Sequence, residues 1–129
     1  MPTSVGFLAV FIGAGIGGSL RHAVNLAAMR LGWTFPVGTL AINVIGSLTM
    51  GLVAEYFAFR SHLPPGWRLF LTTGVLGGFT TFSAFSLDAA ALYERGETAA
   101  AAAYVLGSVV LSIAALFVGL AVIRGLVKA

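Results

Sequence analysis

The residues of this chain that could bind a ligand are neutral hydrogen-bond donors set in long apolar segments. Asn43 lies within one such segment, and Tyr104, Ser108 and Ser112 recur every fourth residue, so that these three share one face of a helix. A carboxamide in hydrocarbon must be hydrogen-bonded by some partner. These side chains suit a small ion or a neutral polar solute, but they could equally hold helices together, and the residue types leave both roles open.

A second group of candidates lies in residues 77–86, GGFTTFSAFS, inside the charge-free run 69–87. Phe82 and Phe85 stand three residues apart, on one face of any helix formed there. The edge of an aromatic ring is partially positive, so ring edges beside hydroxyl and amide protons could hold a dry anion. Aromatic residues in membrane helices also pack without any such role, and spacing does not separate the two cases.

Composition indicates which elements must position these residues. The 129 residues are 59% hydrophobic and 9% charged, and four charge-free runs are each long enough to supply most or all of the roughly 20 residues that cross a bilayer core. The sequence predicts an all-α integral membrane protein with one transmembrane domain over residues 1–129. Its four helices are expected at about 5–29, 37–57, 67–87 and 98–123.

Glycine patterns refine this prediction. Gly13 and Gly17 are spaced for close helix packing in lipid. The third helix contains Gly74, Gly77 and Gly78 with threonines among or beside them, all of which weaken a helix, so we expect it to be broken near residues 75–80. Irregular backbone at membrane depth is tolerated where protein or a water-filled path satisfies it, which makes a site or pore the expectation here.

Several function classes are disfavoured. The chain has no cysteine and no cluster of His, Asp and Glu that suggests a metal or an enzyme site, and its seven basic residues form no nucleic-acid patch. Apart from His22 and Arg68 near the interfaces, the ionisable groups of the spans are Arg21 and Glu55, each near an end, and Glu55 is expected to be solvated or paired near Arg60. A path lined by neutral donors therefore favours passive passage over enzymatic or proton-coupled function.

The basic residues are almost evenly divided between the two membrane faces. The face with both termini carries Arg60, Arg68, Arg124 and Lys128, and the opposite face carries Arg21, Arg30 and Arg95. Because the Lys/Arg excess normally fixes orientation, four against three permits insertion in both directions and antiparallel pairing of two copies. A single orientation set by other factors remains an alternative.

Three motifs in this order resemble the Fluc, or CrcB-like, family of bacterial fluoride channels: residues 17–21 (GGSLR), 38–47 (GTLAINVIGS) and 74–85. The resemblance implies a fluoride-selective channel, not an enzyme, that passively exports cytoplasmic fluoride across the bacterial inner membrane and reduces its toxicity. It further implies an antiparallel, dual-topology homodimer in the lipid bilayer with a broken third helix. By similarity, the fluoride path is lined by Asn43, Phe82, Phe85, Thr81, Ser83, Tyr104, Ser108 and Ser112.

The resemblance also assigns residues at the ends and centre of the assembly. Arg21 is expected at a vestibule, and the backbone carbonyls of Gly77 and Thr80 are expected to bind a structural Na⁺ at the dimer interface. Asp88 follows the third motif, with its role left open. Two alternative functions belong to other classes. A small multidrug transporter needs a carboxylate in its first helix, which residues 5–20 lack. In a structural or assembly subunit, the glycines and hydroxyls would only join helices.

Overall fold

The fold consists of helices joined by short turns. The computed structural model describes residues 2–128. The helices are α1 (Thr3–Met29), α2 (Val37–Phe59), α3 (Pro65–Leu69), α4 (Gly77–Phe79), α5 (Phe82–Glu94) and α6 (Thr98–Lys128), and a π-helical segment, Phe70–Leu76, joins α3 to α4. The stretch Pro65–Glu94 forms one span, so four segments are long and apolar enough to cross a membrane. The prediction of an all-helical protein with four spans is confirmed.

The outer surface of these spans is apolar. Phe7 and Phe11 on α1 are 75% and 77% exposed, and α6 likewise exposes large apolar side chains such as Leu106 and Phe117. The buried residues of α1 are instead its glycines Gly6, Gly13 and Gly17. A surface this apolar is suited to lipid and not to water.

Glycines set the distances between the spans. A Cβ on Gly17 would overlap backbone atoms of Val75 and Phe79, and one on Gly13 would meet Phe70 O at 2.7 Å. The predicted close packing at Gly13 and Gly17 is confirmed, and its partner is the third span. Outside the membrane helices, Gly32 and Gly96 occupy turns with φ of 67° and 81°, a region that other residues rarely adopt.

The third span changes its backbone conformation in the middle. Thr80 (φ −80°, ψ 157°) and Thr81 (φ −154°, ψ 119°) are extended and separate α4 from α5. The part before Thr80 packs on α1, whereas α5 packs on α6. Gly46 lets the extended residues approach α2, because a Cβ there would overlap the Thr80 side chain. The two halves of the span are thus held by different neighbours.

One ion pair ties α2 to α6 near the membrane face that carries the termini. Arg124 Nε donates to Glu55 Oε1 at 2.9 Å. Glu55 is therefore paired, as the sequence suggested, but with a residue 69 positions away and not with neighbouring Arg60. The Arg60 guanidinium lies instead over the Tyr56 ring, 6.0 Å from its centroid. Sequence proximity misled because the side chain of Glu55 points towards α6.

Candidate functional site

Asn43 forms a reciprocal hydrogen-bonded pair with the extended backbone of Thr81. Its Nδ2 donates to Thr81 O at 3.0 Å, and Thr81 N donates to Asn43 Oδ1 at 2.9 Å. Reversing the carboxamide would place oxygen against oxygen and nitrogen against nitrogen, so this pairing defines its orientation. Since Nδ2 carries two protons, one remains for another acceptor. The side chain thus joins two spans and still has a donor to offer.

The hydroxyl of Thr81 caps α5. Its Oγ1 accepts a hydrogen bond from Ala84 N at 3.1 Å and lies 3.3 Å from Ser83 Oγ. A threonine at this position satisfies one of the amides that a helix N-terminus leaves unpaired. Thr81 and Ser83, both predicted to line the path, lie at the start of α5 and outside the lining of the cavity described next.

A cavity of about 230 Å³ brings together the predicted residues Asn43, Phe82, Phe85, Ser108 and Ser112. Its lining is completed by three residues that were not predicted: the apolar Val109 and Ile113, and one further hydroxyl residue, Ser47. None of these eight side chains is ionisable. The Oγ atoms of Ser108 and Ser112 are buried and have no hydrogen-bond partner among residues 2–128. Buried hydroxyls without partners are costly, so a ligand that accepts their protons would be stabilised here.

Aromatic rings form a row that begins at this cavity. The centroids of Phe82 and Phe85 are 5.4 Å apart, those of Phe85 and Tyr104 are 5.2 Å apart, and Tyr104 meets Phe35 edge to face at 5.6 Å. Phe82 is 78% exposed in the single chain, whereas Phe85 and Tyr104 are buried. The ring of Phe82 therefore closes one side of the cavity and leaves its other face uncovered.

Tyr104 lies apart from the two serines with which it shares a helical stripe. Its hydroxyl donates to Asp88 Oδ2 at 3.2 Å, and it does not line the 230 Å³ cavity. Asp88 instead lines a second cavity of about 310 Å³, together with Asn25, Thr39 and Trp33. Tyr104 contacts Phe85 on the side of the first cavity and Asp88 on the side of the second, so it separates the two.

The extended residues release carbonyl groups from the helical hydrogen-bond ladder. In a continuous helix the Gly77 carbonyl would accept from Thr81 N, but that amide donates to Asn43. The Thr80 carbonyl would accept from the amide of Ala84, which donates to the Thr81 hydroxyl. Gly77 is exposed in the single chain and Thr80 is half-buried. Two backbone oxygens three residues apart are thereby available to a hard cation.

Arg21 binds a neighbouring carbonyl group, that of Gly78. Its Nε donates to Gly78 O at 3.2 Å, from a half-buried position on α1. The guanidinium replaces the amide that a continuous helix would supply to this oxygen. Arg21 therefore connects α1 to the end of α4, a contact that the sequence analysis did not foresee.

The largest of the grooves named here is apolar. A groove of about 520 Å³ is larger than either cavity above, but it is lined by apolar residues of α1 and α3, together with Pro64 and Phe70. The small cavity around Asn43 offers the donors that a polar ligand requires, so size alone does not identify the site.

Four apolar spans, three of which line an uncharged cavity that contains hydroxyl groups, define a multi-pass membrane protein. The sequence profile of the family described as CrcB-like protein, Camphor Resistance (CrcB), matches residues 8–120. The chain belongs to this family, the CrcB-like or Fluc family of bacterial fluoride channels, and the resemblance seen in its motifs is confirmed.

Individual relatives agree over nearly the whole chain. A protein of Methylobacterium nodulans named fluoride-specific ion channel FluC is 65% identical over 117 residues, which cover 91% of this chain and 94% of the relative. Proteins of the same name from Granulibacter bethesdensis and Agrobacterium fabrum are 58% and 53% identical over 123 and 118 residues. They cover 95% and 91% of this chain and 97% and 94% of the relatives.

Proposed function

We propose that this protein is a fluoride-selective channel that lets fluoride leave the cytoplasm passively through the inner membrane and so limits its toxicity. The observation that carries the proposal is the cavity around Asn43, because it offers hydroxyl and amide protons without an ionisable side chain. The names of the relatives supply the identity of the ion.

The chemistry of the cavity suits a small, strongly hydrated anion. Fluoride can enter a narrow path when donors replace the water that it loses. The unpaired hydroxyls of Ser108 and Ser112 and the free Nδ2 proton of Asn43 are such donors. The edges of the Phe82 and Phe85 rings add weak positive potential without a full charge, which favours entry and still permits exit.

The absence of an ionisable group from the lining favours passive movement. A carrier that couples fluoride to protons needs a group that binds and releases a proton along the path. We propose that the gradient of fluoride alone drives export: the weak acid enters uncharged, dissociates in a more neutral cytoplasm, and its trapped anion leaves through the channel.

We further propose that two copies assemble antiparallel. Phe82 lines the cavity and yet exposes most of its ring, so a second chain would complete the wall that a single chain leaves open. The two faces carry four and three basic residues, and this small difference opposes neither orientation strongly.

A structural Na⁺ is consistent with the chemistry of the third span. The carbonyls of Gly77 and Thr80 have lost their helical donors, and carbonyl oxygens are ligands for hard cations. Gly77 is exposed on a single chain, so the same oxygens from a second copy could complete the set. The ion would supply positive charge to oxygens that hydrocarbon cannot satisfy, and it would not be transported.

The test is fluoride efflux from liposomes that contain the purified protein, with valinomycin to carry compensating potassium. We expect efflux at equal pH on both sides and no acceleration by an imposed proton gradient. Flux that requires the proton gradient would indicate a coupled transporter. No flux from a protein that remains folded and dimeric would support the structural-subunit alternative.

A further inference from the structure

Ser47 lies on the face of α2 that carries Asn43. The two residues are four positions apart, one helical turn, and both line the 230 Å³ cavity. The serines Ser108 and Ser112 reach the same cavity from α6. Ser47 is the one residue by which α2 adds a hydroxyl to this lining.

The serine and threonine hydroxyls of this chain differ in their hydrogen-bond partners. A serine or threonine in a helix commonly donates to the carbonyl four residues earlier. Ser19, Thr49 and Thr72 do so, to Gly15, Ile45 and Arg68, at 2.7, 2.8 and 2.7 Å. Such a hydroxyl has committed its only proton and has none left for an anion.

The cavity hydroxyls have not made this bond. Among the side-chain hydrogen bonds of residues 2–128, none involves Ser47, Ser108 or Ser112. For Ser47 the contrast lies within one helix. Thr49, two residues further along α2, donates its hydroxyl proton to Ile45 O. Three hydroxyls with free protons thus converge on one cavity from two helices.

We propose that Ser47 is an additional anion-binding residue that donates its hydroxyl proton to fluoride from the α2 side of the cavity. The proposal deepens the proposed channel function and rests on it. With Ser47 and Asn43 on α2 and two serines on α6, donors stand on two sides of the cavity. An anion there can exchange bound water for hydroxyl protons without meeting a cationic side chain.

The experiment compares Ser47→Ala with Thr49→Ala in the liposome assay, with initial efflux measured over a range of fluoride concentrations. Ser47→Ala should raise the half-saturating fluoride concentration about tenfold, which equals about 1.4 kcal/mol and lies at the low end for a hydrogen bond to a charged group. Thr49→Ala removes a hydroxyl from the same helix whose proton is already used, so its half-saturating concentration should match the wild type. Both variants should unfold at the wild-type temperature in detergent.

The outcomes separate this inference from the function on which it rests. An absence of fluoride flux from the wild type would overturn both. Wild-type flux together with an unchanged half-saturating concentration in Ser47→Ala would overturn the role of Ser47 alone. An equal rise in both variants would also overturn it, because the effect would then come from helix packing and not from a free donor.

Discussion

The contact between Asn43 and Thr81 predicts that Asn43→Ala destabilises the fold itself, beyond any effect on an ion. The substitution removes two hydrogen bonds of 3.0 and 2.9 Å and leaves the N–H and C=O of Thr81 without their partner. Each partly buried backbone group left unpaired costs about 1–3 kcal/mol, so the pair together costs about 2–6 kcal/mol.

Asn43→Asp should block flux more completely than the alanine variant. Its carboxylate can still accept from Thr81 N, but it has no proton for Thr81 O, so the unpaired carbonyl costs about 1–3 kcal/mol and the buried charge adds to that cost. It also introduces a negative charge that repels fluoride and removes the second amide proton. Fluoride flux should fall to the background of empty liposomes while the protein remains folded.

The assay is thermal unfolding of the purified protein in detergent, paired with fluoride efflux from liposomes. Asn25→Ala is a matched control for unfolding, because Asn25 also lies within a span but has no side-chain hydrogen bond to residues 2–128. Asn43→Ala should unfold at a clearly lower temperature than Asn25→Ala. Equal unfolding temperatures would refute the structural importance of the pair, and wild-type flux in Asn43→Asp would refute a role in the path.

Four further substitutions, one of them a control, test neighbouring parts of the structure. Phe82→Ile keeps bulk and removes the ring edge, so fluoride flux measured with an electrode should fall; undiminished flux would mean that the ring only packs. Arg21→Lys keeps the charge but loses the Nε donor to Gly78 O, so it should lower stability in thermal unfolding by about 1 kcal/mol. Wild-type stability in this variant would mean that only the charge of Arg21 matters. Gly119→Val overlaps the α2 backbone and should cost about 1–3 kcal/mol or more, whereas Gly107→Val, which meets no atom within 4 Å of its Cβ, should be tolerated. Equal stability of the two glycine variants would contradict the packing of α2 on α6.

The sequence predicted the spans and much of the cavity because both depend on local patterns. Charge-free runs indicated the four spans, and four-residue spacing brought Ser108 and Ser112 to one face. The same spacing failed to predict the contacts of Tyr104, since its ring is long enough for its hydroxyl to reach Asp88, 16 positions earlier. Ser47 was missed although its spacing from Asn43 was visible, because a serine in a helix usually bonds to its own backbone.

Other contacts could not be predicted from the pattern at all. The pair between Asn43 and Thr81 depends on the extended backbone at Thr81, whose N–H and C=O would otherwise belong to a helix. The hydrogen bond from Arg21 to Gly78 likewise requires a carbonyl that has lost its helical donor. Glycine and threonine content indicated where the helix would weaken, but the partners of the released groups depend on how the spans pack.

The selectivity of the wild-type protein tests the account most directly. Liposomes loaded with equal fluoride and chloride, at one pH throughout, should release fluoride rapidly when valinomycin is added and retain chloride as empty liposomes do. The uncharged cavity around Asn43, with donors close enough to replace the water of a small anion, predicts this separation. Release of both anions at similar rates, or of neither from folded protein, would contradict it.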